Sequence, residues 1–248
     1  MNRVIKQIPN FITSLNLIAG SMAVIFAIDG HLIWAGIFIC LAAVFDFIDG
    51  FAARLLNAYS DIGKQLDSLA DLVSFGLAPA AILFTLLEFS LFEKNQPIHL
   101  IAASWSQWII LFSALLMPVM GAVRLARFNA QTDEPFFRGL PIPANGIFWA
   151  SMGLILEVPK YPELFQHIFS TRILLLLGLF TSGMMVITLP MFSLKVKNLK
   201  WSENWYRYIF LLIAVALLST LNVYGLALTI LFYIFLNIGF YLWGIKFH

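Results

Sequence analysis

The chain has 248 residues, of which 61% are apolar and only 11% are charged, and its formal net charge is +2 at pH 7. Soluble domains carry about 25% charged residues, so this composition excludes a water-soluble globular domain and predicts a helical membrane protein. The single cysteine, Cys40, excludes an intramolecular disulfide and a cysteine-cluster metal site.

Hydropathy predicts an all-α, polytopic bundle of eight transmembrane helices, at residues 12–28, 32–56, 62–87, 107–128, 143–157, 172–192, 205–221 and 223–243. We expect a six-helix core at residues 1–194, followed at 195–248 by a basic loop and two additional helices. If the N-terminus is cytoplasmic, only Lys94, Lys160 and Arg172 among the 15 lysines and arginines fall on the far side. This bias predicts that both termini are cytoplasmic.

Acidic residues concentrate where the second and third predicted spans meet. The cluster consists of Asp46, Asp49, Asp61, Asp67 and Asp71. We assign Asp61 to the polar turn or to a helix N-cap. The other four lie in or beside apolar spans, where an ionised carboxylate costs roughly 2.5–3.5 kcal/mol. At 100° per residue, Asp46 lies about 60° from Asp49, and Asp67 about 40° from Asp71, so each pair shares a helix face.

Four carboxylates brought together in a membrane need a positive partner. Oxygen ligands favour Mg²⁺ or Mn²⁺, and four carboxylates suit two ions. The histidines lie away from the cluster, which argues against zinc. Helix physics alone leaves open a second interpretation, an ion or proton pathway in a transporter.

The spacing around the cluster follows the pattern D-x2-D-G-x2-A-R-x8-G-x3-D-x3-D, from Asp46 to Asp71. It resembles the signature of the CDP-alcohol phosphotransferases. The resemblance implies that Asp46, Asp49 and Asp67 ligate the metals with Asp71 near them, and that Asp71 is the general base. The residues that it implies for binding the nucleotide part of CDP-diacylglycerol are Gly50, Ala53, Arg54, Ser60, Gly63, Asn10 and Thr13. For Asn10 and Thr13, N-capping of the first span is an equal alternative.

Three downstream runs resemble the bacterial phosphatidylserine synthases. They are the run from Asp67 to Pro79, the run from Arg124 to Asn129, and the run from Phe137 to Pro143. The resemblance implies serine as the acceptor, and arginine binds a carboxylate bidentately. The candidate serine-binding residues are Arg124, Arg127, Asn129 and Ser74. Membrane anchoring is the alternative for the arginines, and a stiff turn into the fifth span is the alternative for residues 139–143.

The expected function is therefore phospholipid biosynthesis at a bacterial cytoplasmic membrane, with the active site facing the cytoplasm. The expected partners are CDP-diacylglycerol, L-serine and membrane lipids, with no nucleic acid and a possible homodimer. The last two helices pack against the core or form an oligomer face. Glycerol 3-phosphate or choline is the alternative acceptor, and a transporter or a non-catalytic scaffold is the alternative from a different class.

Overall fold

The computed structural model describes residues 7–130, 137–157, 166–192 and 200–244, and most of these residues are helical. The helices are α1 (Ile8–Ile28), α2 (Leu32–Leu55), α3 (Asp61–Asp71), α4 (Ala78–Phe92), α5 (Trp105–Phe112), α6 (Leu116–Ala130), α7 (Ile142–Glu157), α8 (Thr171–Val186), α9 (Trp201–Leu221) and α10 (Val223–Leu242). A π-helical turn, Leu72–Leu77, makes α3 and α4 continuous, and a 3₁₀ turn, Ser113–Leu115, does the same for α5 and α6.

The predicted transmembrane bundle is confirmed. Within the described residues, six apolar helices are long enough to cross a membrane: Ile8–Ile28, Leu32–Leu55, Asp61–Phe92, Trp105–Ala130, Asn204–Leu221 and Val223–Leu242. The other two predicted spans correspond to α7 and α8, each of 16 residues. The chain is therefore an integral membrane protein. Lys160 and most of the basic loop, residues 195–199, lie outside the described residues, and the division at residue 194 stays a prediction.

The sixth predicted span is too long at its end, because helix α8 stops at Val186 rather than at residue 192. The chain then becomes extended, and Pro190–Met191 pairs in antiparallel register with Phe137–Arg138. Gly139 follows this strand pair at φ +71°, and a Cβ there would lie 2.7 Å from Met185 O. Residues 139–143 therefore form a tight turn that leads from the strand into α7, as the alternative for these residues predicted.

The last two helices hold the extended segment at Phe192. The Phe192 amide donates to Asn237 Oδ1 at 2.9 Å, and the Tyr233 hydroxyl donates to the Phe192 carbonyl at 2.8 Å. The ring of Phe192 lies edge-on to Tyr206 and Phe210. The backbone and the ring of Phe192 are thus both held by α9 and α10. These last two helices therefore pack against the core, which is one of the two arrangements expected from the sequence.

The π-helical turn lies at the centre of the bundle, against α1. A Cβ at Gly20 would come within 2.6 Å of the Ser74 backbone and 2.1 Å of its hydroxyl. Only a residue without a side chain permits this approach, as is common where membrane helices pack closely. The contact places α1 beside the segment that follows Asp71.

We predict that Gly20→Ala destabilises the protein by about 1–3 kcal/mol, the usual range for overpacking. The matched control is Gly183→Ala, because Gly183 is also helical but has no atom within 4 Å of its added Cβ. Thermal unfolding in detergent measures both variants. The close packing at Gly20 is contradicted if the two variants unfold at the same temperature.

Candidate active site

The turn between α2 and α3 folds the acidic cluster into a hairpin. Beyond the end of α2, Asn57 has a φ of 46° and Ala58 N donates to Ala53 O at 2.9 Å, an arrangement typical of helix C-termini. The Ser60 hydroxyl then caps α3 by accepting from Gly63 N at 3.0 Å. Asp61 is the first residue of α3 and not its cap.

Three carboxylates meet across this hairpin. Oxygens of Asp46, Asp49 and Asp67 all lie within 4.8 Å of one another. Asp49 Oδ2 and Asp67 Oδ1 are buried and have no hydrogen-bond partner in the described part of the chain. Like charges at this separation repel in a medium of low dielectric. Buried, unpartnered carboxylate oxygens are therefore a donor set that fits a hard divalent cation.

The carboxylates open into a cavity of about 810 Å³ at this end of the bundle. Its lining includes all seven residues that the resemblance implies for the nucleotide, together with the three carboxylates: Asn10, Thr13, Gly50, Ala53, Arg54, Ser60, Gly63, Asp46, Asp49 and Asp67. A Cβ at Gly50 would meet no atom within 4 Å, so this glycine leaves open space. A Cβ at Gly63 would lie 2.8 Å from Asn10 Oδ1, so that glycine permits close contact with α1.

Helix α1 supplies one wall of the cavity. It begins at Ile8, and Asn10 and Thr13 lie within it, so the N-capping alternative for these two residues is wrong. The Thr13 hydroxyl donates to Pro9 O and lies next to the Asp49 carboxylate. Thr13 thus connects the wall of the cavity to the acidic cluster.

Cationic and aromatic side chains also line the cavity. The Arg54 Nε donates to Gly50 O at 3.0 Å, and Arg54 is exposed. The Lys64 ammonium donates to Asn129 O at 3.3 Å. The sequence interpretation missed three residues that line the cavity, namely Lys64, Tyr59 and Phe128. Their position in or opposite the α2–α3 turn could have indicated that they line it.

Asp71 and Arg124 are also buried, but neither is among the residues that line the cavity. They are 8% and 9% exposed, respectively, and they interact electrostatically. Arg124 Nε is buried with no hydrogen-bond partner among the residues described. Asn16, which the sequence interpretation also missed, donates from Nδ2 to Asp71 Oδ1 at 3.4 Å. No periodicity marks an asparagine 55 positions away as a neighbour of Asp71.

The other three candidate serine-binding residues differ in their surroundings. Arg127 is exposed and donates from Nη1 to Val186 O at 2.9 Å. The Asn129 amide donates to Ser68 Oγ at 2.8 Å. Ser74 is fully buried against Asn16. Of the two arginines, the structure brings only Arg124 next to Asp71.

The model of the CDP-alcohol phosphatidyltransferase family matches residues 6–236. The chain belongs to this family. As a CDP-alcohol phosphatidyltransferase it is a membrane-embedded transferase of phospholipid biosynthesis, which confirms the resemblance stated from the signature. The match extends into α10, so the family resemblance is not limited to the hairpin that carries the signature.

Similar relatives of this CDP-alcohol phosphatidyltransferase bear the name CDP-diacylglycerol–serine O-phosphatidyltransferase. The one from Methanocaldococcus jannaschii is 33% identical over 195 residues, which cover 70% of this chain and 84% of the relative. The one from Bacillus subtilis is 36% identical over 143 residues, 57% of this chain and 72% of the relative. The one from Mycobacterium bovis is 32% identical over 202 residues, 75% of this chain and 64% of the relative.

We predict opposite effects of Asp67→Asn on stability, depending on divalent ions. With a chelator, the variant unfolds at a higher temperature than the native protein, because one of three crowded charges is gone. With Mg²⁺ or Mn²⁺, the native protein gains stability by ligand binding and the variant gains less. Thermal unfolding with and without the ions measures both effects.

The control is Asp29→Asn, since Asp29 is exposed and lies beyond the end of α1, next to His31. We expect this variant to gain as much stability from the ions as the native protein does. An equal gain in the Asp67 variant would contradict a cation site at the acidic cluster.

Proposed function

We propose that this enzyme transfers the phosphatidyl group of CDP-diacylglycerol to the hydroxyl of L-serine, forming phosphatidylserine and CMP. The observation that carries the proposal is the arrangement of the charged groups in the site. The cluster of Asp46, Asp49 and Asp67 borders the cavity, and behind it a carboxylate and a guanidinium, Asp71 and Arg124, lie together. The names of the relatives support serine as the acceptor.

The cavity binds the CDP part of the lipid. Gly50 and Ala53 leave room for the nucleotide beside α2, and Gly63 lets α3 approach α1. Arg54 supplies positive charge for the diphosphate, which an exposed guanidinium binds well. Asn10, Thr13 and Ser60 offer polar atoms on the facing walls.

Asp46, Asp49 and Asp67, with Asp71 nearby, hold Mg²⁺ or Mn²⁺, two ions in all. When bound, these ions neutralise the diphosphate and stabilise the charge that develops on the departing CMP. The protein contributes a rigid ligand set, because two helices joined by a short, capped turn present the carboxylates from both sides.

The transfer is a direct displacement. The serine hydroxyl oxygen forms a bond to the phosphorus that carries the diacylglycerol, and the bond from that phosphorus to the bridging oxygen breaks. The bridging oxygen and its electron pair leave with CMP. Asp71 takes the hydroxyl proton as general base, since a carboxylate within hydrogen-bond reach removes the proton as attack proceeds. No covalent enzyme intermediate is needed.

Arg124 binds the carboxylate of serine. Its buried Nε has no hydrogen-bond partner among the described residues, so an acceptor oxygen of the substrate would satisfy it, and the planar fork of arginine matches a carboxylate. Arg127, Asn129 and Ser74 stabilise the acceptor pocket around it through their bonds to α8, α3 and α1.

We further propose that the cavity faces the cytoplasm of a bacterial cell, because the cationic side chains favour that side. CDP-diacylglycerol suits such a site, since its tails stay in the bilayer and its nucleotide lies at the surface. The homodimer stays a prediction.

The acceptor assay tests this function. Purified enzyme with CDP-diacylglycerol and a divalent ion should release CMP with L-serine, and much less with glycerol 3-phosphate or choline. Asp71→Asn, which keeps shape and removes the base, should fold and abolish release. CMP release with glycerol 3-phosphate but not with serine would overturn the acceptor, and full activity of Asp71→Asn would overturn the general base.

We predict that Arg124→Gln raises the KM for serine about tenfold or more and leaves the KM for CDP-diacylglycerol within about twofold, because a charge-assisted bidentate contact contributes roughly 1.5–3 kcal/mol. Steady-state CMP release, with each substrate varied in turn, measures both constants. Arg172→Gln is the control, since Arg172 is exposed in the first turn of α8. A rise confined to the KM for CDP-diacylglycerol would place Arg124 at the lipid substrate instead.

A further inference from the structure

A buried chain of hydrogen bonds leads from α1 to Asp71. Asn16 and Ser74 are both 0% exposed. The Ser74 hydroxyl lies 2.7 Å from Asn16 Oδ1 and 3.0 Å from the Asn16 carbonyl oxygen, and Asn16 Nδ2 lies 3.4 Å from Asp71 Oδ1. Asn16 is not part of the signature that runs from Asp46 to Asp71, and the signature does not predict its contact with Asp71.

The partners of Asn16 determine which way its amide points. Its oxygen accepts from the Ser74 hydroxyl, so its amino group is directed at Asp71. The flipped amide would place oxygen against the carboxylate, two acceptors with no proton between them. A buried acceptor pair of this kind is costly, and the network therefore favours one orientation.

The π-helical turn makes this contact possible. Ser74 lies in the turn Leu72–Leu77, and Gly20 lets its backbone approach α1 closely. Asn10, Thr13 and Asn16 follow one another at three-residue spacing on α1, so they share one side of that helix. The same helix thus borders the cavity at Asn10 and Thr13 and reaches the Asp71 carboxylate at Asn16.

We propose that Asn16 is a positioning residue, which holds Oδ1 of Asp71 by its amide and so leaves Oδ2 to take the proton of the acceptor hydroxyl. This inference rests on the proposed role of Asp71 as general base. A carboxylate with both oxygens free rotates about its last bond, whereas one fixed oxygen sets the direction of the other. Partners that orient a functional group in this way typically contribute 10- to 100-fold.

Asn145 provides a matched comparison. It is also an asparagine with 0% exposure, and its amide also holds the π-helical turn, by donating to Phe75 O at 3.3 Å. Within the described part of the chain, Asn145 makes no hydrogen bond to Asp71. Substitutions at the two positions therefore disturb the same turn, but only one removes the contact with the carboxylate.

The experiment compares Asn16→Leu with Asn145→Leu, in detergent, with CDP-diacylglycerol and the acceptor that the native enzyme uses. We expect Asn16→Leu to lower kcat about 10- to 100-fold, with the KM for CDP-diacylglycerol within about twofold and the stabilisation by Mg²⁺ or Mn²⁺ unchanged. Asn16→Asp should lose more, since it sets a second carboxylate against Asp71. Asn145→Leu should keep kcat within about twofold, although it unfolds at a similarly reduced temperature.

Two outcomes overturn the positioning role: kcat within about twofold of native for Asn16→Leu, or an equal fall for Asn145→Leu. Its failure is distinguishable from failure of the proposed function. If Asp71→Asn is inactive while Asn16→Leu is fully active, only the positioning role falls. If Asp71→Asn is active, the general base and the positioning role fall together. If the native enzyme prefers another acceptor, only the assignment of serine is overturned. The comparison of Asn16→Leu with Asn145→Leu is then made with that acceptor, and it supports or overturns the positioning role of Asn16 in the same way.

Discussion

The repulsion among carboxylates inside a membrane bundle is the constraint on which the site depends. Asp46, Asp49 and Asp67 are held within 4.8 Å of one another, and two of their oxygens are buried without a partner. Such a cluster costs less when a cation neutralises it, and a cation that binds the folded protein stabilises the fold. The close α2–α3 turn and the packing at Gly63 maintain this arrangement, so the fold itself holds together the carboxylates that we propose as ligands of the ions.

The sequence was sufficient to predict the parts of the site that depend on local spacing. Helical periodicity placed Asp46 and Asp49 on one face, and the hairpin that brings Asp67 opposite them followed from a polar turn between two apolar runs. The spans were equally predictable, because a membrane requires long apolar helices. Most helix ends agreed within about five residues, and the largest difference, at the end of α8, depends on pairing with a strand distant in sequence.

The parts that could not be predicted depend on contacts between distant segments. The π-helical turn after Asp71 has no signature in its residues, yet it determines which side chains lie beside the carboxylate. Asn16 lies in an apolar run on α1, where its partner could not be inferred from spacing. Arg124 and Arg127 are close in sequence and both were assigned to the acceptor, but Arg124 is buried beside Asp71 whereas Arg127 bonds to the end of α8.

The last two helices contribute to the part of the protein that can differ between enzymes that share the signature but use different acceptors. The signature lies in α2 and α3 and borders the nucleotide cavity, which every substrate with a CDP group requires. In the proposed mechanism the acceptor side is built from other elements: Arg124 on α6, Ser74 in the π-helical turn, and Asn16 on α1. Tyr233 on α10 interacts electrostatically with Arg124 while its hydroxyl holds Phe192. In the proposed mechanism, elements outside the signature therefore set the shape and charge around the attacking group, and they can change without altering the proposed ion and nucleotide sites.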